Sequence, residues 1–299
     1  MNFKKTIQYV KFPFIGQPRI NPIHARTLQT NELAKEHVVE LENAMQYVAD
    51  IFSNLPVLIG GGLAIALNLR QYDGKKAISL LPKESDRQYL SGFTRMNRAI
   101  HLVYGLNEQC QITSAATNRN YQLTSRSWMM KISETEKLER YPYRPSQEDI
   151  DKGKNLRLVK TTKENHILPF STNILDYLDI FPFKLQDSEG RIVREESDGQ
   201  FKEIVRGTTI NKDEVYILSL DDGLLLPYKF FQRKTIPPLR EGGAPINFVG
   251  PEYLYFIKHR HKKKDDKKTD FDLSLLEKML KEEELWNGVI QHMNPQGKT

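Results

Sequence analysis

Apolar positions fall at three- and four-residue steps over Asn31 to Ser53. Leu33, His37, Leu41, Ala44, Val48 and Ile51 or Phe52 make one stripe, and Thr30 or Asn31 is a suitable N-cap. The period then changes. Val57-Leu58-Ile59, directly after Pro56, is a short aliphatic run that predicts a buried strand. Gly60-Gly61-Gly62 breaks it, and Leu63 to Gln71 alternates Leu and Ala in a pattern suited to a helix. Further on, Ala77 to Leu81 reads as a strand stopped by Pro82, and Ser85 to Tyr104 as a helix. Gln111–Thr113, Tyr121–Thr124 and Trp128–Ile132 read as strands, and 134–165 as a polar, exposed connection.

In the second half, Ile174 to Phe183 is apolar on both faces apart from Asp176 and Asp179, which predicts a strand. Glu214 to Leu218 is another strand, and Asp221 to Arg233 a short helix interrupted near Pro227. The three prolines and paired glycines of 235–246 predict a loop. Pro251 opens a helix to about His261, at a first-turn position where its missing N–H costs nothing. Leu273, Leu276, Met279, Leu280 and Leu285 form the apolar face of a last helix over Phe271 to Trp286. The expected architecture is α/β (α+β), a mixed sheet followed by C-terminal helices. It divides into an N-terminal arm over 1–30, a core over 31–235 with an insertion near 87–165, and a C-terminal helical region over 236–299.

Composition narrows the class. The chain has 299 residues, 39% hydrophobic and 27% charged, which fits a globular protein rather than a disordered one. No segment approaches the roughly 18 apolar residues that a membrane-spanning helix needs, so no membrane span is expected. Cys110 is the single cysteine, which excludes an internal disulfide and suits a reducing, cytoplasmic setting. The net charge of +6 permits a polyanionic partner such as RNA or a nucleotide. Much of the excess sits in His259 to Lys264 and Lys267-Lys268, and a run of this kind also reads as a solvated face. His259 and His261 stand two apart within it, a poor metal-binding spacing.

The glycine turn carries the first chemical signal. A strand that breaks at glycines into a helix N-terminus presents backbone N–H groups and a favourable dipole to an anion. A plain strand-to-helix bend is the other reading, and the spacing alone leaves both open.

Taken in order, these pieces resemble the nucleotidyltransferase superfamily, most closely abortive-infection-type toxin nucleotidyltransferases. The residues that carry the resemblance are Leu58 to Arg70, Asp179 within Tyr177 to Pro182, Gly250 to Lys258, and Lys268 to Leu273. The Asp-Ile-Phe-Pro stretch also resembles fukutin/LicD-type transferases. The resemblance implies phosphate binding at Gly60, Gly61 and Gly62, with Arg70, Ser79, Lys229 and Lys258 as further nucleotide contacts. It implies Mg2+ (or Mn2+) on carboxylates, NTP as substrate, and an RNA, protein or small-molecule acceptor, with an antitoxin or other protein partner. Paired acids at alternate strand positions point the same way and hold the metal against phosphates. Here Ala77 and Ser79 occupy the two positions expected to be acidic. Asp179 remains as catalytic and metal-binding carboxylate, with Asp73 as the nearest substitute partner and Asp86 as another. That departure favours a member that keeps binding without turnover. The bland readings are a solvent-facing helix end for Arg70, surface positions for Lys229 and Lys258, and a structural strand carboxylate for Asp179.

Overall fold

The computed structural model describes residues 42–72, 100–126, 128–132, 138–142, 145–154, 156–161, 174–264 and 267–294. The arm over 1–30, the strand expected at Ala77 to Leu81, and with them Asp73, Ser79 and Asp86, lie outside the described residues.

Helix α1 covers 42–51. Strand β1 (Leu58–Gly60) leads into α2 (Gly61–Arg70), followed by β2 (Ile100–Gly105), α3 (Gln109–Thr117), β3 (Tyr121–Ser125), β4 (Trp128–Ile132) and β5 (Leu138–Pro142). Helix α4 (Gln147–Asp151) precedes β6 (Leu156–Lys160) and the long β7 (Tyr177–Gln186). A run of short strands follows: β8 (Ile192–Glu195), β9 (Phe201–Glu203), β10 (Thr209–Ile210), β11 (Tyr216–Ser219), β12 (Leu224–Pro227), β13 (Arg233–Ile236) and β14 (Ile246–Val249). Helices α5 (Pro251–Arg260), α6 (Lys267–Glu282) and α7 (Trp286–Met293) close the chain. Strands β4 and β5 form a separate hairpin-like pair.

The remaining strands make one mixed sheet, ordered β10-β9-β8-β7-β2-β1-β14-β13. Strand β7 is its centre. It runs parallel to β2 along 178–183, and its opposite edge pairs first with β6 and then with β11. Its sequence, YLDIFPFKLQ, is apolar on both faces, as a strand covered on both sides requires. Strand β14 runs parallel to β1, so the chain returns to the sheet immediately before α5.

Helix α2 lies against the sheet and is touched by α5 and α6 as well. That explains its composition. Leu63 to Asn68 are all buried, because a helix enclosed on several sides has no room for a polar face. Burial of Leu63, Ile65 and Leu67 stabilises this arrangement by about 1.5–3 kcal/mol per side chain. Asn68 is the polar exception. Its Nδ2 donates to the Ala64 carbonyl at 2.8 Å and to the Val249 carbonyl at 2.9 Å, tying α2 to the end of β14.

Four expectations are corrected. Gln111–Thr113 lies in α3, where Ile112 and Ala116, four apart, are the buried apolar positions. Residues 100–104, expected to end a helix, form β2, whose Ile100, Leu102, Val103 and Tyr104 are buried between β1 and β7. Within 134–165, expected to be exposed, Leu156 to Val159 are buried in a strand between β3 and β7. The short helix expected from Asp221 is the β11–β12 hairpin followed by a single 3-10 turn over Tyr228–Phe230. Gly223, at φ +64°, lets the hairpin reverse.

Candidate functional site

The site forms where β1 ends. Gly60 leaves the strand, and Gly61 starts α2 at φ +63°, a left-handed conformation that strains any residue with a Cβ. Among the described residues no side chain caps the N-terminus of α2, and its first turn holds no acidic residue. The first N–H groups of a helix have no partner within it, and the positive end of the helix dipole lies at that end.

Sheet register then brings distant residues to this turn. Gly60 is opposite His101 on β2, His101 is opposite Asp179 on β7, Asp179 is opposite Arg157 on β6, and Arg157 is opposite Thr124 on β3. Residues in direct register share a face, and neighbouring strands are about 4.8 Å apart, so Asp179 stands roughly 10 Å from Gly60. The side-chain contacts agree. Arg157 Nε donates to Asp179 Oδ1 at 2.6 Å, and His101 Nε2 lies 3.8 Å from Asp179 Oδ2. The other imidazole nitrogen, Nδ1, lies against the turn: a Cβ placed on Gly61 would sit 2.5 Å from it.

Asp179 and Arg157 are both buried, while the His101 side chain is 36% exposed and forms the accessible end of the row. Burial alone would raise the Asp179 carboxyl. The Arg157 guanidinium, helped by His101 and Arg126, overrides this and holds it below the usual carboxylate range. The Phe181 ring, two residues along β7, packs against His101 at 5.0 Å between centroids, and the Arg126 guanidinium lies 4.7 Å from the same ring. Arg126 also pairs with Asp221 in the β11–β12 turn. The adjacent Asp222 accepts from Ser219 Oγ at 2.9 Å and pairs with His261 at the end of α5.

The structure thus places Gly60, Gly61 and Asp179 of the expected residues in one neighbourhood, with Gly62 in the first turn of α2. Arg70 is at the far end of that helix, about 14 Å along its axis, where its guanidinium meets Glu42 at 2.5 Å. Lys258 is committed to Asp272 on α6, 2.9 Å from a carboxylate with no exposure. Lys229 is exposed on the 3-10 turn, its ammonium 5.3 Å from the Phe230 ring. Three participants were not found from the sequence: His101, Arg157 and Arg126. No spacing marks them, because what joins them is the pairing of β2, β6 and β3 with strands far away in the chain. Strand β1 lies between β14 and β2, and on β2 the alternating positions nearest the turn are His101 and Val103.

The described residues do not fit the magnesium that the resemblance implies. Magnesium takes oxygen ligands in near-octahedral geometry, usually from more than one acid and the phosphates. Asp179 contributes a single carboxylate, with Oδ1 taken by Arg157 and Oδ2 facing His101. Among the described residues, no three His, Cys, Asp or Glu side chains are grouped to hold an ion. No helix among them is long and apolar enough to cross a membrane.

No family model matches this chain, and no curated protein matches it. Among solved structures, the crystal structure of the lincosamide antibiotic adenylyltransferase LnuA with lincomycin bound is similar at 13% identity. The match spans 79% of this chain and 96% of that one with a TM-score of 0.34. Similarity at that level assigns neither family nor activity.

Proposed function

We propose that this chain is a nucleotidyltransferase-like protein that binds the phosphates of a nucleoside triphosphate at Gly60–Gly62. The observation that supports the reading best is the register row. It sets the uncapped N-terminus of α2, His101 and the Asp179–Arg157 pair side by side on one face of the sheet. Helix N–H groups recognise phosphate oxygens without a side chain. Binding rather than turnover is the favoured reading, because Ala77 and Ser79 stand where the resemblance expects the paired acids. In this reading the core carrying the nucleotide runs from 31 through β14, which pairs with β1, and the helices after β14 are braced on α2.

The test is equilibrium binding of the four common ribonucleoside triphosphates, with Gly61→Val as the comparison. Saturable binding by the natural protein that disappears in Gly61→Val supports the reading, and no binding by the natural protein refutes it. A parallel assay with α-labelled nucleotides, manganese or magnesium, total RNA and candidate protein acceptors separates binding from transfer. Metal-dependent labelling of RNA or protein that is lost in Asp179→Ala would establish an enzyme instead.

A further inference from the structure

We propose that the β11–β12 turn is a pH-sensitive latch, in which Asp222 exchanges the imidazolium of His261 for the Arg126 guanidinium as His261 loses its proton. The latch is independent of nucleotide binding and ties the C-terminal helices to the sheet beside Asp179. Its two acids are adjacent and hold different partners. Asp221 pairs with Arg126, which follows β3, and Asp222 pairs with His261, which ends α5. The Asp222 side chain is only 3% exposed, whereas that of His261 is 56% exposed. A buried anion therefore depends on a cation that water reaches. Ser219 Oγ fills Asp222 Oδ2 at 2.9 Å, so Oδ1 is the oxygen that His261 serves.

Arg126 holds the replacement. Its Nε is buried with no hydrogen-bond partner among the described residues, a condition that calls for an acceptor. Burial alone would raise the Asp222 carboxyl; His261, Ser219 and the Arg126 charge override this and hold it low. The other groups nearby do not compete. Lys258, on α5, is committed to Asp272 at 2.9 Å, and burial pushes the Tyr253 phenol up, so it stays neutral. The bond to Asp222 raises His261 above 6.5, so the imidazolium is in place below pH 6.5 and the exchange follows as pH rises through the raised value. The neutral ring still donates, but it no longer offsets the charge of a buried carboxylate. Because the two acids are adjacent, Nη2 stays on Asp221 while Nε turns to Asp222. The same guanidinium lies 4.7 Å from the Phe181 ring and helps to hold Asp179 low. Proton loss at the end of α5 is thereby felt at the face that carries Asp179.

Nitrogen–proton NMR of the full chain from about pH 5 to 9 tests this. It follows the Arg126 Nε–H resonance, assigned by its absence in Arg126→Lys. The expected result is a downfield shift on raising pH, with a midpoint that coincides with that of the His261 ring. In His261→Gln, an exposed substitution that donates without a charge, the resonance should stand at its high-pH position throughout. His101 packs on Phe181 and is the other imidazole near Arg126. A pH response that survives in His261→Gln belongs to His101 and overturns the latch. A resonance resting at its low-pH position in that variant, or constant through the His261 midpoint in the natural protein, overturns it as well.

Discussion

Glu252 sits in the first turn of α5 with only 2% of its surface exposed. Gln232 Nε2 donates to its Oε1 at 2.7 Å, whereas Oε2 is buried with no hydrogen-bond partner among the described residues. Desolvation, with repulsion from Glu283, pushes the carboxyl up to about 7 from its ordinary value of 4.5, and the Glu252 backbone N–H and, less, Lys234 only partly oppose this. An acid whose value is raised by folding makes the folded state prefer the protonated form. Its contribution is then fully present below pH 4.5 and is lost as pH rises through about 7. At about 1.4 kcal/mol for each pH unit separating the two values, the loss is ~3 kcal/mol.

Glu252→Gln removes the ionisation and keeps the shape. The amide oxygen can accept from Gln232, and the amide N–H stands where the carboxyl proton stood. Urea unfolding of both proteins between pH 5 and 8 measures the effect. Between pH 5 and pH 8 the variant should gain ~2.5 kcal/mol on the natural protein, or roughly 5 °C in a thermal melt of a chain this size. Parallel curves over that range would refute the reasoning, since they would mean that Glu252 is solvated or finds a charged partner when it ionises.

Other consequences can be checked in the same way. Gly61→Ala combines a left-handed backbone with a clash against His101, whereas Gly190→Ala, at φ +80° with nothing within 4 Å, carries the backbone strain alone. Thermal melts should show a cost of about 1–2 kcal/mol for Gly190→Ala and a larger one for Gly61→Ala. Titration should show nucleotide binding lost only in Gly61→Ala. Leu67→Ala, at a position with no exposure between the sheet and the C-terminal helices, should cost about 2–5 kcal/mol in chemical unfolding. The bond to Asp222 raises His261 above 6.5, so that pair stabilises the fold below pH 6.5 and fades as pH rises through the raised value. Proton NMR should find the His261 midpoint above 6.5 and see it fall back in Asp222→Asn; an unchanged midpoint would remove the ion pair from the account.

The strand–glycine–helix unit over 58–70 was legible because each piece is local. An aliphatic run, a glycine break and a helical apolar period all lie within thirteen residues. The strand carrying Asp179 was legible for the same reason. Strand β2 was missed because the helical pattern before it extends smoothly into Ile100-His101-Leu102-Val103, and four apolar-rich residues fit either period. Asp222-Gly223 is a turn dipeptide, and its preference for chain reversal prevails over the helical spacing of Leu224, Leu225 and Phe230. For the site, the glycines and Asp179 carry recognisable types in recognisable places. His101 does not. A solitary histidine in an apolar strand has no distinguishing neighbour in the sequence, and its meaning comes from register with β1 and β7.

That register also sets a timetable for synthesis. Gly60 and Asp179 are separated by about 120 residues, so at about 5–20 residues per second the ribosome takes roughly 6–24 s to produce β7 after β1. During that interval β1 and β2 can pair with each other, but the β2 edge that will receive β7 remains open, with Leu102 and Val103 uncovered. Open apolar edges recruit other strands. The nascent chain is therefore most vulnerable to aggregation before Tyr177–Gln186 emerges, and a chain terminated ahead of that strand should depend on chaperones far more than the full-length protein.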